Sequence, residues 1–170
     1  MAGGESPHDE VDELLAAWRR ERPDLDANPL GVLSRVTRLA KYLDNARRRA
    51  FLEVGLETWE FDVLAALRRA GRPYALSPGQ LASQTLVTSG TITNRVDRLE
   101  ERGLVKRERD PEDRRGIRVV LTEAGKRSVD LALEDLLARE QAILAGLKPA
   151  QRRELADLLR TLVLSFDQSA

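Results

Sequence analysis

The sequence predicts a mainly α-helical protein interrupted by one β-hairpin, and three observations carry that expectation. Apolar residues recur at helical spacing along most of the 170-residue chain. Two runs of β character, "LVKRE" and "IRVVLT", flank the stretch "DPEDRRG" at residues 110–116. Directly before this hairpin, two short helical segments follow one another, each with its own start signal.

Taken in order, Val11, Leu14, Leu15 and Trp18 form an i, i+3, i+4, i+7 stripe, a first short helix that "RPDLDANP" breaks. Leu33, Val36, Ala40, Leu43 and Ala50 carry a second, longer helix ending near Gly55. The third, "TWEFDVLAALRRAG", closes on Gly71, the glycine expected just past a helix end. In "SPGQLASQ", Ser77 is the N-cap, Pro78 the first helical residue and Gln80 the capping-box partner. The next helix, "TSGTITNRVDRLEERG", is capped by Thr88 or Ser89 and stopped by Gly103. Its apolar side is Ile92, Val96 and Leu99, opposite Thr91, Asn94, Arg95 and Arg98. After the hairpin come a helix from about Glu123 to Leu147, buried through Val129, Leu133, Leu136, Leu137, Leu144 and Leu147, and a last one carrying Leu155, Leu158, Leu159, Leu162, Val163 and Phe166. The final stripe needs a partner, in this chain or in a second copy.

Composition narrows the function. With 42% hydrophobic and 33% charged residues and no apolar run of the ~20 residues that a bilayer requires, no membrane span is expected. The N-terminus lacks a basic start followed by an apolar core, so no signal peptide is expected, and a chain without cysteine fits a cytoplasmic setting. The single histidine, His8, and the lack of metal-ligand spacing or a Gly-rich phosphate loop argue against an enzyme; no cofactor is expected. Charge balances at 28 basic and 28 acidic residues, but locally it segregates: residues 1–13 hold five acids and no Lys or Arg, and residues 35–49 hold six bases against Asp44 alone. Local fields, not the sum, steer partners.

A short helix, a tight turn, a second helix and a hairpin make a winged helix-turn-helix. The second helix can enter the major groove of duplex DNA with its N-terminal residues Ser89, Thr91, Thr93 and Asn94 leading, and Arg98 one turn on reaches a base edge or a phosphate. Asp110-Pro111 and Gly116 are turn chemistry, whereas Arg114 and Arg115 at the hairpin tip suit the electronegative minor groove. A winged helix used only for protein contacts, without specific DNA binding, is the alternative that the neutral net charge leaves open.

The stretch from "SPGQLASQ" through "RLEERGLVKR" and "DPEDRRG" to "LTEAGK" resembles, in order, the MarR family of bacterial transcription regulators, with the resemblance extending over about residues 29–165. It implies a homodimer held by intertwined terminal helices, two winged domains presented to a pseudo-palindromic operator, and a regulator that is usually a repressor. Three parts are then expected: residues 8–55 as N-terminal helices, 56–121 as the DNA-binding domain and 122–170 as dimerisation helices. The extension "LLAAWRRERPDLD" is similar to the added helix of a urate-responsive branch of that family. In that branch an anionic ligand sits in a pocket whose residues carry over onto Trp18, Asp62, Arg95 and Arg107, and the relatives' ligands include urate, xanthine-like purines and tricarboxylates such as aconitate or citrate. The residue types suit such a ligand. An indole offers a face for a planar ring, guanidinium groups offer charge-assisted hydrogen bonds, and a carboxylate is repelled by an incoming anion.

Overall fold

The computed structural model describes residues 8–111, 113 and 116–167. The chain divides into a first compact unit ending at Asn45 and a second beginning at Ala46.

The first unit holds helix α1 (Glu10–Glu21) and the N-terminal part of α2 (Asn28–Glu53). α1 begins where it does because Asp9 caps it. The Asp9 carboxylate accepts hydrogen bonds from the backbone N–H groups of Val11 (2.9 Å) and Asp12 (3.2 Å), and the Asp12 carboxylate accepts one from the Asp9 N–H at 3.0 Å. These satisfy donors that a helix start otherwise leaves open. Val11 and Leu15 are buried, and Arg35 on α2 donates to both Asp9 and Asp12.

The second unit is built from α3 (Thr58–Arg69), β1 (Ala75–Leu76), α4 (Pro78–Gln84), α5 (Ser89–Glu101), β2 (Val105–Arg109), β3 (Ile117–Leu121), α6 (Glu123–Ile143), a 3₁₀ turn at Leu144–Gly146 and α7 (Pro149–Asp167), together with the end of α2. The sheet has three strands in the order β1-β3-β2, all antiparallel. The sequence pattern predicts only the hairpin. Strand β1 is two residues long and exists through its pairing with Val119 and Val120 of β3, so no local periodicity marks it.

A shared core explains the arrangement of these elements. Phe51 of α2 stacks on Phe61 of α3 with centroids 4.1 Å apart, and Leu64, Leu81, Ile92, Leu99 and Val119 are buried around them. Gly125, in the first turn of α6, lies so close to the root of the hairpin that a Cβ there would stand 2.0 Å from the carbonyl oxygen of Leu104. Only a glycine permits that approach, which gives the "LTEAGK" stretch its physical sense. Thr122 completes the joint: its hydroxyl donates toward the Gly103 and Leu104 carbonyls and accepts from the Gly125 N–H.

Two sequence expectations need correction. α6 ends at Ile143, with the 3₁₀ turn between it and Leu147. Its burial runs through Val129, Ala132 and Leu136, whereas Leu133, Leu137 and Leu144 are exposed along with Leu158, Leu162, Val163 and Phe166 of α7. Periodicity located these stripes but could not tell which of them the chain itself covers.

Candidate nucleic-acid interface and adjoining cavity

Helices α4 and α5 form the helix-turn-helix. Ser77 caps α4 as expected, accepting from the Gln80 N–H at 3.2 Å while the Gln80 side chain accepts from the Ser77 N–H at 2.9 Å. For α5 the cap is Thr88, not Ser89. Its hydroxyl accepts from the Thr91 N–H at 3.3 Å and lies 2.9 Å from the Thr91 hydroxyl. Ile92, Val96 and Leu99 fasten α5 to the core, which leaves Ser89, Thr91, Thr93, Asn94 and Arg98 on the exposed side. The Thr93 hydroxyl is turned back on its own helix, donating to the Ser89 carbonyl at 3.0 Å.

The N-terminal turn of α3 grips α5 through two carboxylates. Glu60 is buried, at 1% exposure, and accepts from Arg102, the C-cap of α5, through both oxygens. Arg102 also donates to the Gly55 carbonyl at 2.8 Å. Glu57, one turn earlier, accepts from the Trp59 indole N–H at 2.7 Å and from Arg98 at 2.9 Å. Those two donors, the indole first, hold the Glu57 carboxyl below the usual carboxylate range. Both Arg95 and Arg98 stack on the Trp59 ring, with guanidinium carbons 5.5 Å and 4.7 Å from its centroid.

Behind α5 lies a cavity of about 500 Å³ lined by Arg48, Leu52, Glu57, Trp59, Asp62 and Arg95, among others. Two of the four residues expected in an effector pocket, Asp62 and Arg95, therefore share one space. The indole beside them is Trp59, which no feature of the sequence assigns to a site. Asp62 accepts a hydrogen bond from Arg47 at 3.3 Å. Trp18 belongs to the first unit, where it is half exposed and lines a separate hollow of about 330 Å³ with Arg22, Leu25 and Leu30. Arg107, on β2, is held by two carboxylates of α5, Asp97 and Glu100, each at 2.5 Å, rather than lining the Asp62 cavity. Spacing along a strand could not reveal that arrangement, because it depends on how β2 packs against α5.

In the wing, Glu108 pairs with Arg118 directly across the two strands, at 3.0 Å, and with Lys106 at 2.7 Å. Arg114 and Arg115 lie outside the described residues. Among the described residues no group of His, Asp or Glu side chains could hold a metal ion, and no helix is long and apolar enough to cross a membrane.

Known proteins give this geometry a family. The family model described as "MarR family" matches residues 54–116. PecS, an HTH-type transcriptional regulator of Dickeya dadantii (strain 3937), is 36% identical over 150 residues, covering 88% of this chain and 90% of PecS. A MarR family transcriptional regulator from Streptomyces coelicolor, solved in complex with DNA, is similar with a TM-score of 0.69 and 26% identity, over 84% of this chain and 93% of that one. BpsR of Bordetella bronchiseptica, whose DNA binding is regulated by 6-hydroxynicotinic acid, is similar with a TM-score of 0.57 and 29% identity, over 75% of this chain and 92% of that one. These relatives are regulators rather than enzymes. The chain belongs to the MarR family of DNA-binding transcription regulators.

Proposed function

We propose that the protein is a homodimeric repressor that binds a pseudo-palindromic operator through α5 and the wing and is released by a small anionic metabolite. The observation that carries this reading is the cavity behind α5, where Asp62, Trp59, Arg48 and Arg95 meet. An anion entering there gains charge-assisted hydrogen bonds from Arg48 and Arg95 and repels Asp62. A planar ring finds the Trp59 face. Because Arg95 stands on the same helix as Thr91, Asn94 and Arg98, a ligand that draws on Arg95 acts on the helix that reads DNA. Its effect is bounded by its difference in affinity for the two shapes of the protein, typically about 1–3 kcal/mol of coupling.

The dimer reading is supported by the apolar side chains left uncovered on α6 and α7, a run larger than monomers usually present to water. In this reading residues 122–170 join two copies, while Ser89, Thr91, Thr93, Asn94 and Arg98 face the major groove and Arg114 and Arg115 the minor groove. A planar heteroaromatic acid such as urate, xanthine or 6-hydroxynicotinate, or a tricarboxylate such as aconitate or citrate, has the required charge. The resemblance assigns Trp18 and Arg107 to this site as well; Arg107 joins it by leaving Asp97 and Glu100.

Gel shifts on the DNA flanking the protein's own gene, with and without each of these acids, test release. Single-tryptophan variants locate the site. With Trp18→Phe the remaining Trp59 should be quenched on titration, and Arg95→Ala should lose both quenching and release. DNA release by a ligand that leaves Trp59 emission unchanged, or an Arg95→Ala protein that responds like wild type, would sink the cavity as the switch.

A further inference from the structure

The strongest unexplained residue lies in the turn of the helix-turn-helix. Among the described residues, three helices close with the same hydrogen-bond pair, in which the N–H groups of two successive residues beyond the cap reach back to carbonyls of the last turn. At the end of α2 these bonds are Gly55 N–H to Leu52 and Leu56 N–H to Phe51; at the end of α5 they are Gly103 N–H to Glu100 and Leu104 N–H to Leu99. At the end of α4 they are Leu86 N–H to Ser83 and Val87 N–H to Ala82. The motif requires a left-handed backbone at its pivot, and the pivots have φ values of 69°, 67° and 53°. The chain places glycine there twice, at Gly55 and Gly103, and leucine the third time.

Leucine is the wrong residue for that position in the isolated chain, on two independent counts. A side chain in the left-handed region crowds its own backbone, a strain that glycine escapes. The side chain also gains nothing in return, because Leu86 is 93% exposed. It is more exposed than any other large apolar residue among those described, and its neighbour Val87 is the one that packs on the core. Its place is telling: Leu86 stands two residues before Thr88, the cap of α5, next to Ser89 and Thr91.

We propose that Leu86 is a DNA-contacting residue whose side chain packs on the apolar C–H surface of the duplex at the groove edge, either a thymine 5-methyl group or a deoxyribose. This rests on the reading that α5 is the element presented to DNA. A duplex docked on the α5 N-terminus meets the turn that leads into it, and Leu86 there offers a far larger apolar contact than the short, hydrogen-bonding Ser and Thr side chains that follow it. Such a contact releases no counterions, so its contribution is independent of salt, unlike that of any arginine on the same surface.

The test uses the full-length chain, a duplex selected from a randomised pool by the wild-type protein, and a random-sequence duplex of equal length. Leu86→Gly and Leu86→Asn, both tolerant of a left-handed backbone, should melt at or above the wild-type temperature. Each should nevertheless bind the selected duplex about tenfold more weakly, the loss expected for uncovering much of a leucine side chain, with an unchanged salt slope. Leu86→Met should bind like wild type. Replacing dT by dU in the selected duplex separates the two sources. If the methyl group is the contact, the wild-type protein loses affinity at one position where Leu86→Gly is indifferent. If deoxyribose is the contact, neither protein notices dU and Leu86→Gly weakens on both duplexes alike. The inference is overturned if both variants bind as wild type while Arg98→Ala is impaired, or if they change only the oligomeric state in sedimentation, which would mean a second copy covers Leu86. Undiminished binding by Arg98→Ala, Thr91→Ala and Asn94→Ala together with the Leu86 variants would remove the reading of α5 itself, and this inference with it.

Discussion

Glu57, the N-cap of α3, holds Arg98 of α5 at 2.9 Å while accepting the indole N–H of Trp59 at 2.7 Å, so a cation on the exposed side of α5 is already occupied by a carboxylate. Arg98 must leave Glu57 to reach a phosphate. Glu57→Gln should therefore tighten binding to random duplex DNA by a few-fold, the worth of an exposed ion pair, and steepen the log–log salt slope by about 0.9. Anisotropy titrations at several salt concentrations measure both quantities. Unchanged slope and affinity would mean that Arg98 does not contact phosphate.

The neighbouring pair should behave differently. Glu60 is buried and its charge is matched by Arg102, so Arg102→Ala leaves a carboxylate without its partner inside the fold. We expect a loss of about 3 kcal/mol, toward the lower end of the range for a broken buried pair because water reaches the Arg102 side. Urea unfolding provides the number; a loss below about 1 kcal/mol would place this pair in the class of surface bridges.

Gly125→Ala should destabilise the protein even though alanine is the better helix former by about 1 kcal/mol. The new methyl would stand 2.0 Å from the Leu104 carbonyl oxygen, and backbone has to move to admit it. A net loss of about 1–3 kcal/mol follows from overpacking of this kind. Thermal unfolding of the variant decides the sign.

Asp9 supplies a pH dependence. Its hydrogen bonds from Arg35, helped by the backbone N–H groups of the α1 start, lower its pKa from 3.8 to about 2. A carboxyl whose folded pKa lies below its unfolded value contributes fully above the unfolded value and loses that contribution as pH falls through the folded one. The α1 anchorage should thus hold at pH 5 and fade between about pH 4 and 2. Trp18, on α1, reports this by its emission in a Trp59→Phe background. Asp9→Asn should flatten the titration, and an unaltered curve would assign the transition to other carboxyls.

Local chemistry was legible and distant pairing was not. Ser77, Pro78 and Gln80 announce α4 because a capping box is completed within four residues. The Thr88 cap was narrowed to two candidates for the same reason. Strand β1 escaped, since Ala75 and Leu76 are a strand only by virtue of Val119 and Val120. Asp62 and Arg95 came from the resemblance and line one cavity, yet the indole beside them, Trp59, stands on no stripe that sets it apart in sequence. Arg107 came from the resemblance too, and its spacing in the strand does not show that α5 brings Asp97 and Glu100 to it. The α6 and α7 stripes declared apolar faces, and a pattern of spacing carries no information about what covers them.

The joint between Gly125 and Leu104 has a mechanical corollary. With no side chain separating α6 from the hairpin root, and the Thr122 hydroxyl bonded on both sides of the joint, the start of α6 and the root of the wing are directly coupled. A tilt of α6 would then be passed to the root of the wing, as from a handle to its blade. In a dimer of the kind proposed, affinity for an operator would then be set by the stride between two stiff reading heads, and an effector need only alter that stride by a fraction of a helical repeat to put the second head out of step.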